Sequence, residues 1–146
     1  MTARTIPSQR LVPELYCRDF SISYAFYRDV LGFVARYERP EDHFAYLDRE
    51  GAELMLEELT VDQDFTWLTG RLETPFGRGV NFQIEVSDLD ALLASIQGNG
   101  TALRRDPWEK WYRAGDREVG QRQFLVQDPD GYLLRFCQDL GERARL

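Results

Sequence analysis

Lysine and histidine are almost missing from this chain of 146 residues: Lys110 and His43 stand alone, and the other basic residues are arginines scattered along the sequence. With 18 basic against 25 acidic residues the formal charge is −7, a field that repels polyanions. No nucleic-acid partner is therefore expected, and a positively charged small molecule is favoured over a phosphorylated one. Cysteine is scarce too. Cys17 and Cys137 make no disulfide framework, and with nothing in the sequence to lower a thiol pKa they read as small buried hydrophobes on strands. No apolar run approaches the roughly 20 residues that span a bilayer, and Met1 to Arg10 lacks the hydrophobic segment of a signal peptide, so a cytoplasmic protein with no membrane partner is expected. Gly-rich phosphate loops, a serine elbow and Cys-x-x-Cys are missing as well, which removes phosphoryl transfer and nucleophilic catalysis.

What is present suffices for one core: 43% of residues are hydrophobic and 13% aromatic, at a length typical of a single domain. A weak two-fold echo runs through it, each copy a strand, a helix and paired strands. Module one, about residues 10–59, opens with the alternating segment Leu11 to Cys17. A helix follows over Asp19 to Phe33, where Ile22, Ala25, Phe26 and Val30 form a stripe and Gly32 is a stop. Strands at Phe44 to Leu47 and Glu53 to Glu57 are joined by the turn Arg49-Glu50-Gly51. After a linker at about 60–79, module two spans about 80–138. It has a strand at Val80 to Val86, a helix over Ser87 to Gln97 capped by Ser87 or Asp88 and ended by Gly98, a strand at Arg122 to Gln127, the turn Asp128-Pro-Asp-Gly131 and a strand at Tyr132 to Cys137. Asp106 to Gly120, with Trp108, Trp111 and Tyr112, reads as a long aromatic loop, and the end of the chain as a short tail.

Because strand neighbours point to opposite sides of a sheet, side chains sort by face. Leu11, Leu15, Cys17, Leu54, Leu56, Val80, Phe82, Ile84, Val86, Tyr132, Leu134 and Phe136 fall on the side that helices cover. Opposite them fall Val12, Glu14, Tyr16, Glu53, Met55, Glu57, Asn81, Gln83, Glu85, Leu133, Arg135 and Cys137. Such a polar set suits the solvated face of an ordinary sheet. It equally suits the lining of a trough in which Glu14, Glu53, Glu57 and Glu85 converge and need a cation or protons to relieve their repulsion. His43, with no carboxylate partner fixed by spacing, reads as a surface or pocket-lining imidazole rather than a general base.

The segments Glu14-Leu-Tyr-Cys-Arg-Asp19, Ala25-Phe-Tyr-Arg-Asp-Val-Leu-Gly-Phe33, Leu54-Met-Leu-Glu-Glu-Leu59 and Asp128-Pro-Asp-Gly-Tyr-Leu-Leu-Arg-Phe136 resemble the vicinal-oxygen-chelate superfamily, and within it most closely the bleomycin resistance proteins. The resemblance, covering about Leu11 to Leu140, implies an α+β domain of two βαβββ modules with curved mixed sheets, and a homodimer whose clefts lie between subunits. Metal enzymes of the superfamily (glyoxalases, extradiol dioxygenases, fosfomycin-modifying transferases) take His, Glu or Gln ligands from the first and last strand of each module. The matching positions here are Val12, Met55, Asn81 and Arg135, a poor set for a divalent ion, so neither a metal nor another cofactor is expected.

The expectation from residues and resemblance together is a non-catalytic protein that sequesters a cationic, partly planar antibiotic of the bleomycin type. Phe44, Tyr46, Trp108 and Trp111 would stack on it; Glu14, Glu57, Glu85 and Asp116 would set the negative potential; Asn81, Gln83 and Arg135 would supply oriented hydrogen bonds. The alternative is a metal-dependent lyase, transferase or dioxygenase with an atypical site drawn from Glu14, Glu53, Glu57 and His43.

Overall fold

A computed structural model describes residues 8–60 and 67–146. The chain divides into two compact units, residues 1–74 and 75–146, each a four-stranded mixed sheet with its own helix, the α+β arrangement expected. Residues 61–66 of the expected linker lie outside the described residues. No helix among the described residues is long and apolar enough to cross a membrane.

In the first unit the sheet has the order β1-β4-β3-β2, formed by β1 (Glu14–Cys17), β2 (Val34–Arg39), β3 (Phe44–Arg49) and β4 (Ala52–Glu58). First and last strands pair in parallel, Glu14 opposite Met55, and the other pairs are antiparallel. The opening strand is shorter than alternation suggested, and Leu11 is 84% exposed rather than in the core. Pro13 has no N–H to give a ladder, so pairing begins after it, its carbonyl accepting from the Met55 N–H at 2.8 Å.

Helix α1 (Phe20–Ala25) starts at Asp19, whose side chain accepts from the Ile22 N–H at 3.2 Å, and widens into a π-turn over Phe26–Val30. The buried stripe is Ser23, Phe26, Tyr27 and Leu31, while Ile22 is 58% exposed. The helix is thus rotated by about one residue from the expected stripe. Tyr27 is the larger prize: fully buried, it meets Phe33 edge-on at 5.4 Å and sets which face turns inward.

The second sheet, β5-β8-β7-β6, is formed by β5 (Asn81–Glu85), β6 (Arg105–Ala114), β7 (Arg117–Gln127) and β8 (Leu133–Ala144), with helix α2 (Leu89–Gly98) between β5 and β6. Asp88 caps α2 as expected, accepting from the Ala91 N–H at 3.0 Å, but Gly98 lies inside the helix, and the chain turns at Asn99 and the left-handed Gly100 instead. Val80 precedes its strand and is exposed.

The largest correction concerns residues 106–120. They are not a loop but strand β6 and the start of β7, joined by the two-residue turn Gly115-Asp116. Pro107 is tolerated because β6 is an edge strand and the register shifts between Arg105 and Trp108. Gly120 is tolerated because its bare Cα seats the Trp111 ring, which a Cβ would approach to 2.7 Å. Likewise β8 runs on to Ala144, where a tail was expected.

The turn before β8 is tightly specified. Asp128 Oδ1 accepts from the N–H groups of Asp130 (2.9 Å) and Tyr132 (3.0 Å), and Gly131, at φ +99°, would place a Cβ 2.4 Å from Pro75 Cβ. Both the backbone conformation and the close approach demand glycine. Gly131→Ala is expected to lower unfolding free energy by about 1–3 kcal/mol from backbone strain, with the Pro75 clash added; urea denaturation checks this, and an unchanged midpoint would contradict it.

Candidate functional site

In the first unit, the sheet face away from α1 is built in two rows. Strand pairing lines up Glu14, Met55, Tyr46 and Tyr37, and beside them Tyr16, Glu57, Phe44 and Arg39. This is not a solvated face: Tyr16, Phe44 and Tyr46 are buried. Tyr37 stacks on Tyr46 with ring centres 5.1 Å apart and lies tilted against Phe44 at 6.1 Å, so three aromatic planes form one block. The Arg39 guanidinium rests over the Phe44 ring, 3.9 Å from its centre.

The acidic residues of this face divide into two kinds. Glu53 is committed: Arg36 lies 2.9 Å from its Oε1, the Tyr46 hydroxyl donates to Oε2, and the Gln9 N–H donates at 3.2 Å. Burial alone would raise its pKa, but these donors from Tyr46, Gln9 and Arg36 outweigh that and hold it below the usual carboxylate value. Arg36 is free to reach it because the register between β2 and β3 slips between Ala35 and Tyr37.

Glu14 is different. Loss of surrounding water, then a hydrogen bond shared with Glu57 and the repulsion of that carboxylate, push its pKa up to about 7; Arg39 and a hydrogen bond with the Trp67 side chain oppose the rise. Glu14 therefore keeps its proton up to near neutral pH, in a hydrogen bond with Glu57 on the adjacent parallel strand.

In the second unit, the face away from α2 carries the row Glu85, Cys137, Gln123, Trp108, and next to it Gln83, Arg135 and Leu125. Arg135 Nε donates to Asn81 Oδ1 at 3.0 Å. The Arg105 guanidinium covers Trp108, 3.8 Å from the ring centre. Burial raises the Cys137 thiol pKa first, with Glu85 and Asp139 adding to it and Arg135 opposing, so it is no reactive thiolate.

The expected residues therefore fall in separate places. Glu14, Phe44, Tyr46 and Glu57 share one face of the first unit, and Asn81, Gln83, Glu85, Trp108 and Arg135 share one face of the second. Trp111 is three residues from Trp108 along a regular stretch of β6 and so points to the opposite side, packed on Gly120 with Arg143 over it at 4.1 Å. Asp116 stands exposed at the hairpin tip.

Four side chains here escaped sequence reasoning: Arg36, Tyr37, Arg39 and Gln123. Period-two alternation in Gln121, Gln123, Leu125 and Gln127 would have placed Gln123 opposite the core residues Phe124 and Val126. His43 also differs from expectation, having a carboxylate partner: Nδ1 lies 3.2 Å from Glu58 Oε1, while Glu58 Oε2 accepts the Phe20 N–H at the start of α1. This pair sits at a sheet end, and the imidazole is largely exposed.

Each unit has the element order βαβββ. A family model described as the Glyoxalase/Bleomycin resistance protein/Dioxygenase superfamily matches residues 10–136. The chain belongs to this superfamily. A superfamily member from Vibrio splendidus 12B01 is 41% identical over 88% of this chain and 97% of its own, with a TM-score of 0.40. TioX from Micromonospora sp. ML1 is 23% identical over 91% of this chain and all of its own (TM-score 0.69). A lactoylglutathione lyase from Agrobacterium tumefaciens is 20% identical over 90% and 94% (TM-score 0.58). No curated protein matches.

The superfamily's metal-ligand positions can be judged by their chemistry. Val12 offers no donor, Met55 only a soft thioether, and Asn81 spends its carbonyl oxygen on the Arg135 guanidinium, itself a cation. Among the described residues no three His, Cys, Asp or Glu side chains converge on a point where an ion could sit. These donors do not fit a divalent metal.

The Glu14–Glu57 proton has a measurable consequence. A carboxyl whose folded pKa stands above its unfolded value stabilises the fold fully below pH ~4.5, and that contribution is lost as pH rises through about 7. Glu14→Gln, which mimics the protonated form at all pH values, is expected to be more stable than the parent at pH 8, the difference shrinking toward pH 4; thermal melts across that range check this, and a constant difference would contradict it.

Proposed function

We propose that this chain is a non-catalytic binding protein that sequesters a cationic, partly planar small molecule of the bleomycin type, in a cleft completed at a homodimer interface. The observation that carries the reading is the first unit's face, where the Tyr37, Phe44 and Tyr46 planes adjoin the Glu14–Glu57 pair. The protein's own Arg39 supports the reading: its flat cation lies on Phe44 within reach of the Glu14 charge. A ligand cation taking that position would gain about 0.5–2 kcal/mol from the ring, and each carboxylate adds attraction that grows as water is excluded. Several planes and two carboxylates together bring micromolar affinity, about −8 kcal/mol, within range without any bond being made or broken.

The acceptors and donors of the second unit's face, Gln83, Glu85, Asn81 and Arg135, suit the amides and hydroxyls that such antibiotics carry. A guanidinium held at a superfamily metal position supports binding over metal chemistry in this chain, because it would repel the ion that the enzymes need. TioX shares the fold, which by itself fixes no ligand.

Titration with metal-free bleomycin, followed by tryptophan quenching, is expected to saturate at micromolar ligand. Affinity should fall as the pH is lowered through 7, because Glu14 takes up a proton and the face loses a negative charge. Glu57→Gln should weaken binding about tenfold, the loss of one close charge pair. No saturable signal at millimolar ligand would overturn the antibiotic assignment.

A further inference from the structure

Phe44 stands on the face where a guest is proposed to stack, yet it is only 2% exposed. Part of that cover is a cation of the chain itself. Arg39, its partner across the pairing of β2 and β3, lays its guanidinium over the ring, 3.9 Å from the centre, and donates from Nε to Asp42 Oδ2 at 3.1 Å. No guest can lie on that side of the ring while the guanidinium is there.

The hold on Arg39 is light. Its side chain is 46% exposed and that of Asp42 55%, so their ion pair is bathed in water and contributes little. An exposed cation–π contact adds only about two- to fivefold to an equilibrium constant. Arg36, three residues earlier on the same strand, is the contrast: its partner Glu53 is 3% exposed, and moving Arg36 away would leave a buried carboxylate short of a cation. Moving Arg39 strands nothing. Rotation about its side-chain bonds carries the guanidinium into water while the backbone pairing of β2 with β3 stays intact. The second unit repeats the arrangement on its own face, where the exposed Arg105 lies over Trp108 at 3.8 Å.

We infer that Arg39 is a displaceable lid on the Phe44 ring, lying on it in the empty protein and moved aside when a flat guest takes its place. The inference rests on the binding function proposed above and adds a cost that every guest at this ring must meet. A guest cation that replaces the guanidinium restores both the contact with the ring and the attraction to Glu14, whereas a neutral guest regains only the stacking. The lid thus keeps the plane out of water until a guest outcompetes the protein's own cation.

Two probes with one ring system test this. At pH 8, 9-aminoacridine is a flat cation and acridine is its neutral counterpart. Dissociation constants of both for the full chain and for Arg39→Ala are measured by fluorescence titration, with thermal melts of the two proteins. Both probes are expected to bind Arg39→Ala about fivefold more tightly than the parent, the size of one exposed cation–π contact, and the two proteins to melt at about the same temperature.

Tighter binding of 9-aminoacridine alone, with acridine unchanged, would overturn the lid, because it marks an arginine that acts only through its charge. Weaker binding of acridine to the variant would overturn it as well, since the guanidinium would then be the surface on which guests lie. So would a variant melting several degrees lower, which marks a fixed part of the fold. Equal binding to parent and variant would overturn the lid and leave the binding function standing; failure of both probes to bind either protein at millimolar concentration would overturn the two together.

Discussion

The parallel pairing of first and last strands in each unit is the constraint on which the candidate site depends. It sets Glu14 beside Met55 and diagonal to Glu57 in one unit, and Asn81 beside Leu133 and diagonal to Arg135 in the other. Because each strand alternates its faces, one such register decides at once which residues meet the helix and which line the opposite face. A slip of one residue would carry Leu15, Leu56, Ile84 and Phe136 to the polar side and end both cores.

Within that frame the two units treat the charged groups on these faces differently. The first neutralises Glu53 with Arg36, Tyr46 and Gln9, and leaves Glu14 beside Glu57 with its pKa raised, Arg39 opposing the rise. The second pairs Arg135 with Asn81, two of the positions that the resemblance matches to the superfamily's metal ligands. Among the described residues, neither face gathers three His, Cys, Asp or Glu side chains around a point where a metal ion could sit. On the first unit's face the aromatic block of Tyr37, Phe44 and Tyr46 is what the proposed stacking of a flat group rests on.

Alternation made the core strands readable. Phe44 to Leu47, Leu54 to Glu57 and Val80 to Val86 carry a period of two, and the Asp128-Pro-Asp-Gly131 turn announces itself by residue type. What stayed hidden were edges: β2, charged and interrupted by a register slip near Arg36, and β6, where Pro107 and the Gly115-Asp116 turn resemble a loop. Edge strands need fewer of their own hydrogen bonds, so they tolerate the residues that pattern reading takes as breaks. Of the site, Glu14, Phe44, Tyr46 and Glu57 were legible because a strand fixes their side. Arg39 and Gln123 were not, since their meaning comes from what they touch, a ring in one case and the Tyr112 hydroxyl in the other.

The central claim is that a scaffold shared with metal enzymes here binds its guest without a metal, the chelating positions being filled by Asn81 and Arg135. Its most direct test is calorimetric titration of chelator-treated protein with Mn²⁺, Ni²⁺ and Zn²⁺, paired with elemental analysis of protein purified without chelator. The account predicts no stoichiometric metal and no one-to-one binding tighter than about millimolar, the −4 kcal/mol level of weak surface association. One equivalent of a transition metal bound at micromolar or tighter affinity, and lost on substitution of Glu14, Glu57 or Asn81, would contradict it.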